Sequence, residues 1–281
     1  MESGSSDGTY EVLWLARKAF AEAGIKYVFI HSDLDTSKDE RIPTLAKLRN
    51  LALEPLLKDR KQYDPSTTVI FINDIVMCME DVLELIYQKL YQKADMTCAM
   101  DWTYVGNDPT FYDIWIARTM TGETFFEIGE DGNWDSAWDI FRTTPSAQQR
   151  YNAHKPFQVF SCWNGMTAFT AKPYADRKIK FRSNMKSECF QGEPRLFCKD
   201  MWRLGYGKIA VVPSINIEYS DDAARKIKDL KGRTSRWVRH DGTADSDELI
   251  QWEKDPPKEV KCITDPDYAH QHFVPWNQGF T

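Results

Sequence analysis

The sequence has six cysteines in 281 residues but no CxxC pair, which argues against a zinc ribbon or a thioredoxin-type redox site. It has no apolar run of about 18 residues. Met1 is followed by polar residues rather than by a basic and then an apolar stretch. We therefore expect neither a membrane anchor nor a signal peptide within these residues. Internal repeats and low-complexity tracts are also lacking.

The sequence also has no excess of basic residues over acidic ones. Lys and Arg number 36 against 42 Asp and Glu, giving a formal net charge of -6 and a pI near 5.5. This balance argues against nucleic acid as the main partner, so any phosphate that binds needs a local site. Hydrophobic residues at 42% exclude wholesale disorder. We expect one α/β domain over residues 1–220, followed by a charged extension, 221–281, that wraps the surface or forms a partly flexible tail.

The cysteines permit disulfides in an oxidising compartment, because their number is even. Cys78 and Cys98 lie in apolar contexts typical of buried thiols. The other four fall in the less regular second half, and their pairing stays open at this point. They are Cys162, Cys189, Cys198 and Cys262.

Helix and strand patterns alternate over the first hundred residues, which predicts an α/β fold with a mostly parallel central sheet. The helices are expected at 9–23, 40–58 and 79–93, and the strands at 26–32, 67–73 and 95–101. Further on we expect a strand at 157–170, a helix at 193–205 and a strand at 208–213. Only Met1 and Glu2 precede the turn before the first helix. The first strand of such a sheet is thus expected to be missing, unless another segment fills its position.

The run from Val69 to Ile72 is apolar and mostly β-branched, and it ends at Asn73 and Asp74. Ligands of open α/β sheets bind beyond the carboxyl ends of strands, where an acid can hold a metal ion and a nucleotide diphosphate. The alternative is an aspartate that starts a turn or caps the next helix.

Three other groups are expected at the same edge: the turn at 3–9, Arg49 with Asn50, and Asp101. Backbone N–H groups of the turn can bind phosphate or ribose, and Arg49 can pair with a diphosphate. Each group also has an ordinary interpretation as a connection, a solvated helix arginine or a capping aspartate. Their expected convergence is what favours a site.

Six blocks of sequence, in this order, resemble the cryptococcal capsule-associated α-1,3-mannosyltransferase family of fungi over about residues 2–220. They are ESGSSDGT (2–9), LRNLALEPL (48–56), FINDIV (71–76), AMDW (99–102), FSCWNG (160–165) and SEC (187–189). The resemblance implies a GT-A-type glycosyltransferase of capsule polysaccharide biosynthesis. Such an enzyme transfers mannose from GDP-mannose to a mannose-containing oligosaccharide or polysaccharide, forming an α-1,3 linkage with retention. It also implies Mn²⁺ or Mg²⁺ as cofactor and a location in the Golgi or another secretory lumen.

The resemblance also implies roles for single residues. Asp74 matches the metal ligand of a DXD motif in which Asn73 replaces the first acid. Glu188 is implied as the acid beneath the reacting sugar, with Asp101 as a further catalytic candidate that hydrogen-bonds sugar hydroxyls. The implied donor-binding residues are Glu2, Ser3, Asp7, Arg49, Asn73, Trp163 and Asn164.

A downstream histidine often completes the metal site in such enzymes, and His240, His270 and His272 are available. Two other functions stay open: transfer from another nucleotide sugar such as a UDP-sugar, and non-catalytic glycan binding. Competition by GDP and by UDP separates the first of these from the main expectation.

Overall fold

The computed structural model describes residues 1–58, 63–64, 66–238, 248–264 and 267–280. In the described ranges, helices and strands alternate through the first half, so the expected α/β class is confirmed. The helices are α1 Thr9–Glu22, α2 Arg41–Ala52, α3 Glu54–Lys58, α4 Met79–Tyr91, α5 Pro145–Asn152, α6 Lys172–Ala175, α7 Glu193–Arg203, α8 Asp221–Lys231 and α9 Thr234–Trp237. The strands are β1 Thr68–Ile72, β2 Met96–Val105, β3 Asp108–Phe111, β4 Phe157–Gln158, β5 Met166–Thr170, β6 Ile209–Ile217, β7 Glu259–Thr264 and β8 Asp267–Pro275.

The helix expected at 40–58 is two helices. Leu53 ends α2, and Pro55 lies in the first turn of α3. Proline is tolerated there because the first N–H groups of a helix have no partner within it, whereas inside a continuous helix it would remove a hydrogen bond. The proline therefore marks where one helix stops and the next begins.

The central sheet has the strand order β1-β5-β2-β6-β4, with β3 paired to β2. Strands β1, β2 and β6 run in one direction, as the alternation predicts, and β2 and β6 pair in parallel. The expectation of a mostly parallel sheet needs correction, because β5 lies antiparallel between β1 and β2. Strands β3 and β4 are antiparallel to their neighbours as well. The sheet is therefore mixed.

A tight turn explains the reversed strand. The strand expected at 157–170 is interrupted by Asn164 and Gly165, both with positive φ (53° and 73°). The chain turns there and enters the sheet as β5, with Thr170 opposite Thr68 and Phe169 opposite Met96.

The strand expected at 26–32 does not form. Its one ladder contact in the described chain is a parallel bridge between Glu2 and His31, in which the Glu2 N–H donates to the Ile30 carbonyl at 2.9 Å. A ladder needs a partner strand, and a single residue pairs with this segment. Helix α1 next to it has no buried residue.

Aromatic rings fill the core on the face of the sheet that meets α7. Trp163, Phe181 and Phe197 are almost fully buried, and the rings of Phe181 and Phe197 stack with centroids 4.5 Å apart. Burial of such large apolar side chains is the main favourable contribution to folding.

Two disulfides cross this core, Cys98–Cys162 and Cys189–Cys262. The expectation that Cys98 is a buried thiol is wrong, because strand β2 brings it against the segment that precedes the turn before β5. Cys78, half-buried, and Cys198, buried, are free thiols.

The C-terminal extension packs against the rest of the chain at its hairpin β7–β8. Val260 and Val274 are buried, and Lys261 N–H donates to the Gly122 carbonyl at 2.8 Å. The division at residue 220 stays a prediction. No helix in the described part of the chain has both the length and the apolarity needed to span a membrane.

Gly165 supplies the first test of this fold. A Cβ at this position would lie 2.9 Å from Ile75 Cγ2 and 3.0 Å from Ile217 Cδ1, in addition to the strain of its positive φ. We expect Gly165→Ala to lower the free energy of unfolding by about 3 kcal/mol, measured by urea denaturation.

Gly106 is the matched control. It also has positive φ, 62°, but a Cβ there meets nothing within 4 Å. Gly106→Ala is expected to cost only the backbone strain, about 1 kcal/mol. Equal losses in the two variants would contradict the close packing at the turn before β5.

Candidate active site

A cleft of about 750 Å³ opens where β1 ends, between α2 and the beginning of α7. We call it the central cleft. Side chains from distant parts of the sequence meet there, as expected of a site at the carboxyl edge of a sheet. The residues that matter chemically are Arg49, Asn73, Asp74, Asp113, Trp163, Glu193 and Tyr219.

Arg49 lies on the wall of this cleft and is held on three sides. Its Nε donates to Glu193 Oε1 at 2.7 Å, and its Nη1 donates to Asn73 Oδ1 at 3.3 Å. The guanidinium carbon lies 4.8 Å from the centre of the Trp163 ring. These bonds use two of the five N–H donors of an arginine. Arg49 is therefore oriented by the protein and keeps donors for a ligand.

Trp163 and Asn73 complete this arrangement. The indole N–H of Trp163 donates to Asn73 Oδ1 at 3.3 Å, the same oxygen that accepts from Arg49. The backbone N–H of Asn73 donates to the Gly165 carbonyl at 2.9 Å. These bonds hold Asn73 in place next to Asp74, and a contact of Asn73 with a donor stays a prediction.

Asp74 is exposed on the wall of the central cleft. No hydrogen bond or ion pair to its carboxylate is found among the described residues, so both oxygens are open to a ligand. Burial of the phenol raises the pKa of the Tyr112 hydroxyl, the charges of Asp113 and Asp101 raise it further, and the charge of Asp74 makes a smaller contribution.

The protein alone offers few metal ligands here. Within the described ranges, no group of three or more His, Cys, Asp or Glu side chains lies close enough to hold a metal ion. Magnesium sites beside phosphates commonly use one or two carboxylates, with phosphate and water oxygens supplying the rest. Asp74 fits that type of site, in which the metal binds together with a diphosphate.

Asp113 is an acid of the central cleft that the sequence patterns did not reveal. Its Oδ2 accepts the backbone N–H of Asn164 at 2.9 Å, while the Asn164 side chain donates to the Ala99 carbonyl at 2.7 Å. Burial raises the pKa of Asp113 to about 6, with the Asn164 N–H and the Arg49 charge acting in the opposite direction.

Asp101 lies behind the cleft rather than on its wall. It is fully buried, and its Oδ2 accepts the hydroxyl of Tyr219 at 2.7 Å. Burial and the neighbouring Asp113 raise its pKa well above the ordinary value. Tyr219 itself faces the cleft, so Asp101 is placed to orient Tyr219. A direct contact of Asp101 with sugar stays a prediction.

Glu188 is held in an ion cluster away from the cleft wall. Arg182 Nη1 and Lys199 Nζ donate to its carboxylate at 2.7 and 2.6 Å, and the Met185 N–H donates at 2.7 Å. Although burial raises the pKa of Glu188, these donors outweigh it and lower the pKa to about 2. Its catalytic role stays a prediction that this geometry does not support, because all its described partners are internal.

The nucleoside-binding residues expected at the N-terminus also lie off the central cleft. Glu2 accepts the Ser5 N–H at 2.7 Å and contacts His31 Nδ1 at 2.6 Å. The Ser3 hydroxyl donates to the Leu34 carbonyl. Asp7 accepts the Thr9 N–H at 3.1 Å in a local turn around Gly8, which is the N-cap residue of α1. Their contact with a nucleoside stays a prediction.

No histidine of the described ranges lines the central cleft with Asp74. His240 lies outside the described residues. His270 and His272 lie on β8, where His272 Nδ1 is 2.8 Å from the His270 carbonyl. Neither of these two lines the central cleft.

Comparison with known proteins gives the family. The family model described as "Cryptococcal mannosyltransferase 1" matches residues 1–200. The "Alpha-1,3-mannosyltransferase CMT1" of Cryptococcus neoformans var. neoformans is 36% identical over 241 residues. The match covers 82% of this chain and 51% of the relative, so the chain spans about half the length of that protein. No solved structure matches the chain.

The family match includes every residue of the Arg49, Asn73-Asp74, Asp113 and Trp163 cluster together with Glu193. The relative supplies a second match across most of the chain. The chain therefore belongs to the cryptococcal mannosyltransferase 1 family.

Proposed function

We propose that this chain is a metal-dependent mannosyltransferase with a GT-A-type fold. It takes mannose from GDP-mannose and forms an α-1,3 linkage to a mannose-containing acceptor, with retention of configuration. The observation that carries the proposal is the meeting of Arg49, Asp74 and Asp113 in one cleft at the end of β1. The family membership supports the reaction class.

In this proposal Arg49 binds the diphosphate of the donor. Its contacts with Glu193, Asn73 and the Trp163 ring fix the guanidinium before the ligand arrives, which reduces the entropy lost on binding. The remaining N–H donors suit phosphate oxygens. Glu193 offsets part of the positive charge, so the divalent ion at Asp74 is needed as a second cationic group.

Asp74 is the residue that would hold Mn²⁺ or Mg²⁺ beside the bound diphosphate. When bound, the ion neutralises charge that develops on the departing phosphate. The protein's part is to present one free carboxylate from the end of a buried strand, with Asn73 anchored beside it. In a retaining reaction on one face of the sugar, the leaving phosphate oxygen accepts the acceptor's proton.

Asp113 is a half-buried acid on the wall of the same cleft, and we assign it the role of stabilising positive charge at the reacting sugar. That role requires the carboxylate form. Because the pKa of Asp113 is raised to about 6, transfer should rise as pH increases through that value.

The two disulfides, Cys98–Cys162 and Cys189–Cys262, support a secretory compartment such as the Golgi lumen, because disulfides persist in oxidising environments. The proposal as a whole is tested by incubating the protein with GDP-mannose, Mn²⁺ and an α-linked mannobiose, and by identifying the linkage formed. Competition by UDP rather than by GDP would assign a different donor.

The proposed metal role of Asp74 predicts that a variant without its charge binds GDP more weakly in the presence of Mn²⁺. Asp74→Asn should weaken Mn²⁺-dependent GDP binding by about tenfold or more, because it removes an anionic oxygen ligand. Calorimetry with GDP, with and without Mn²⁺, measures the effect. The melting temperature should stay unchanged, since Asp74 is exposed and makes no described hydrogen bond.

Asp229→Asn is the matched control, because Asp229 is an exposed aspartate on α8 outside the central cleft. It should bind GDP as the wild type does. Equal GDP affinity of the Asp74 variant and the control in the presence of Mn²⁺ would refute the metal role.

Asp113→Asn is expected to lower transfer activity without lowering stability. An acid whose pKa is raised in the folded protein binds its proton more tightly there than in the unfolded chain. The contribution of Asp113 to the free energy of unfolding of the wild type therefore falls as pH rises from about 4 to 6. Above about pH 6 this contribution no longer changes. The amide cannot ionise, so the variant should lack this fall while losing most transfer activity.

Urea denaturation at pH 4, 5, 6 and 7 measures the difference between the two proteins, which should grow in favour of the variant up to about pH 6. Asp229→Asn again serves as the control and should follow the wild-type curve. A variant that is less stable than the wild type at pH 7 would show that the Asp113 charge stabilises the fold.

A further inference from the structure

A second cleft, of about 420 Å³, lies beside the hairpin formed by β2 and β3. We call it the tryptophan cleft, after Trp102, Trp134 and Trp138, which line it. None of its lining residues lines the central cleft. The cluster at Arg49 and Asp74 therefore does not account for it.

The three indoles are exposed to very different degrees. Trp102 is buried and forms the floor, where its Nε1 donates to Asn216 Oδ1 at 2.8 Å. Trp134 is half-buried against Phe126, with ring centroids 5.4 Å apart. Trp138 is 82% exposed. A single exposed apolar residue needs no explanation, but an exposed indole beside a second one in a cleft presents ring surface to a ligand.

The polar groups around these rings are mostly acceptors. Asp108 and Asp135 are exposed, and neither carboxylate accepts a hydrogen bond from a residue that the structure describes. The one cation of the described lining, Lys231, is engaged within the protein. Its Nζ lies 3.6 Å from the centre of the Trp102 ring and 3.3 Å from the Tyr151 hydroxyl.

The indole rings and the free carboxylates together favour one class of ligand. Flat aromatic surface packs against the C–H faces of pyranose rings, and free carboxylates accept hydrogen bonds from hydroxyl groups. Two such carboxylates repel phosphates, nucleotides and acidic sugars. A neutral oligosaccharide satisfies both conditions.

Strand β3 connects the two clefts. Thr110 lines the tryptophan cleft, and Asp113, three residues later, lines the central cleft. Three residues of fully extended chain span at most about 11 Å. Two adjacent binding surfaces, one on the hairpin and one on the residues that follow it, suit different units of the same sugar chain.

We propose that the tryptophan cleft binds a neutral stretch of the acceptor glycan, several units away from the end that reacts in the central cleft. The assignment of this glycan as the acceptor rests on the proposed function. Binding of the oligosaccharide itself does not require catalysis.

Calorimetric titration of the full chain with a linear α-linked mannotetraose tests the inference. Trp138→Ala should weaken binding about fivefold, and Trp138→Phe should recover part of it, since the ring supplies the contact. Trp14→Ala is the matched control, because Trp14 is a 45% exposed indole on α1 that does not line the cleft. Saturation with GDP and Mn²⁺ should not displace the mannotetraose.

Equal affinity of the wild type and Trp138→Ala would overturn the inference, and so would displacement by GDP. The same holds for a loss of equal size in the Trp14 control. Tighter binding of a uronic acid tetrasaccharide than of mannotetraose would overturn the choice of a neutral ligand.

The two proposals fail separately. If Mn²⁺-dependent GDP binding is absent but mannotetraose binding depends on Trp138, the proposed transferase function fails and the glycan site stands. If GDP binding depends on Asp74 while Trp138→Ala changes nothing, the glycan site fails alone. In an active enzyme, Trp138→Ala should raise the KM for mannotetraose and leave the KM for mannobiose unchanged.

Discussion

The contact of Arg49 with Asn73, Glu193 and Trp163 is the interaction on which the central cleft depends. It joins four separate parts of the chain: α2, the end of β1, the beginning of α7, and the segment that precedes β5. A nearly buried guanidinium is costly unless its charge and its donors are satisfied. Glu193, only 2% exposed, forms an ion pair with Arg49. Asn73 and the Trp163 ring fix the orientation of the guanidinium. Loss of Glu193 would leave the Arg49 charge without its ion-pair partner. Because Asn73 belongs to the same cluster, the cluster also fixes the position of Asp74, the next residue in the chain.

The turn at Asn164 and Gly165 connects this cluster to the sheet. Its positive φ angles reverse the chain, so that β5 enters antiparallel between β1 and β2. The same turn directs the Asn164 N–H at Asp113 and the Gly165 carbonyl at Asn73. One local conformation thus sets both the mixed pairing of the sheet and the positions of two groups in the cleft. Asp101, which is buried, and Asp113, which is half-buried beside it, cannot both be charged at low cost, since burial and the charge of Asp113 raise the pKa of Asp101. The Asn164 N–H and the Arg49 charge favour the charged form of Asp113.

Much of the architecture could be predicted from local patterns. Helices α1, α4 and α7 and strands β1, β2 and β6 lie where apolar periodicity and turn residues place them. Of the four groups expected at one edge, Arg49 and the Asn73-Asp74 pair meet in the central cleft, whereas the turn at 3–9 and Asp101 do not line it. Three things lay beyond such patterns. The direction of β5 depends on a two-residue turn inside an apolar run. Asp113 and Glu193 are ordinary acids in sequence, and only packing brings them to the cleft that holds Arg49. Glu188 lies in a block shared with the family, but its partners Arg182 and Lys199 become visible only in three dimensions.

The two clefts differ in charge, and this difference separates the two kinds of ligand that we propose for them. The central cleft combines an oriented cation with a free carboxylate, which suits a diphosphate bound together with a divalent ion. The tryptophan cleft combines apolar rings with free carboxylates and an engaged lysine, which suits an uncharged sugar chain and repels the nucleotide. On the proposed function, the charged donor and the uncharged acceptor would bind to different surfaces before they react. The hairpin of β2 and β3, which lines one cleft and leads directly into the other, holds those surfaces in a fixed relation.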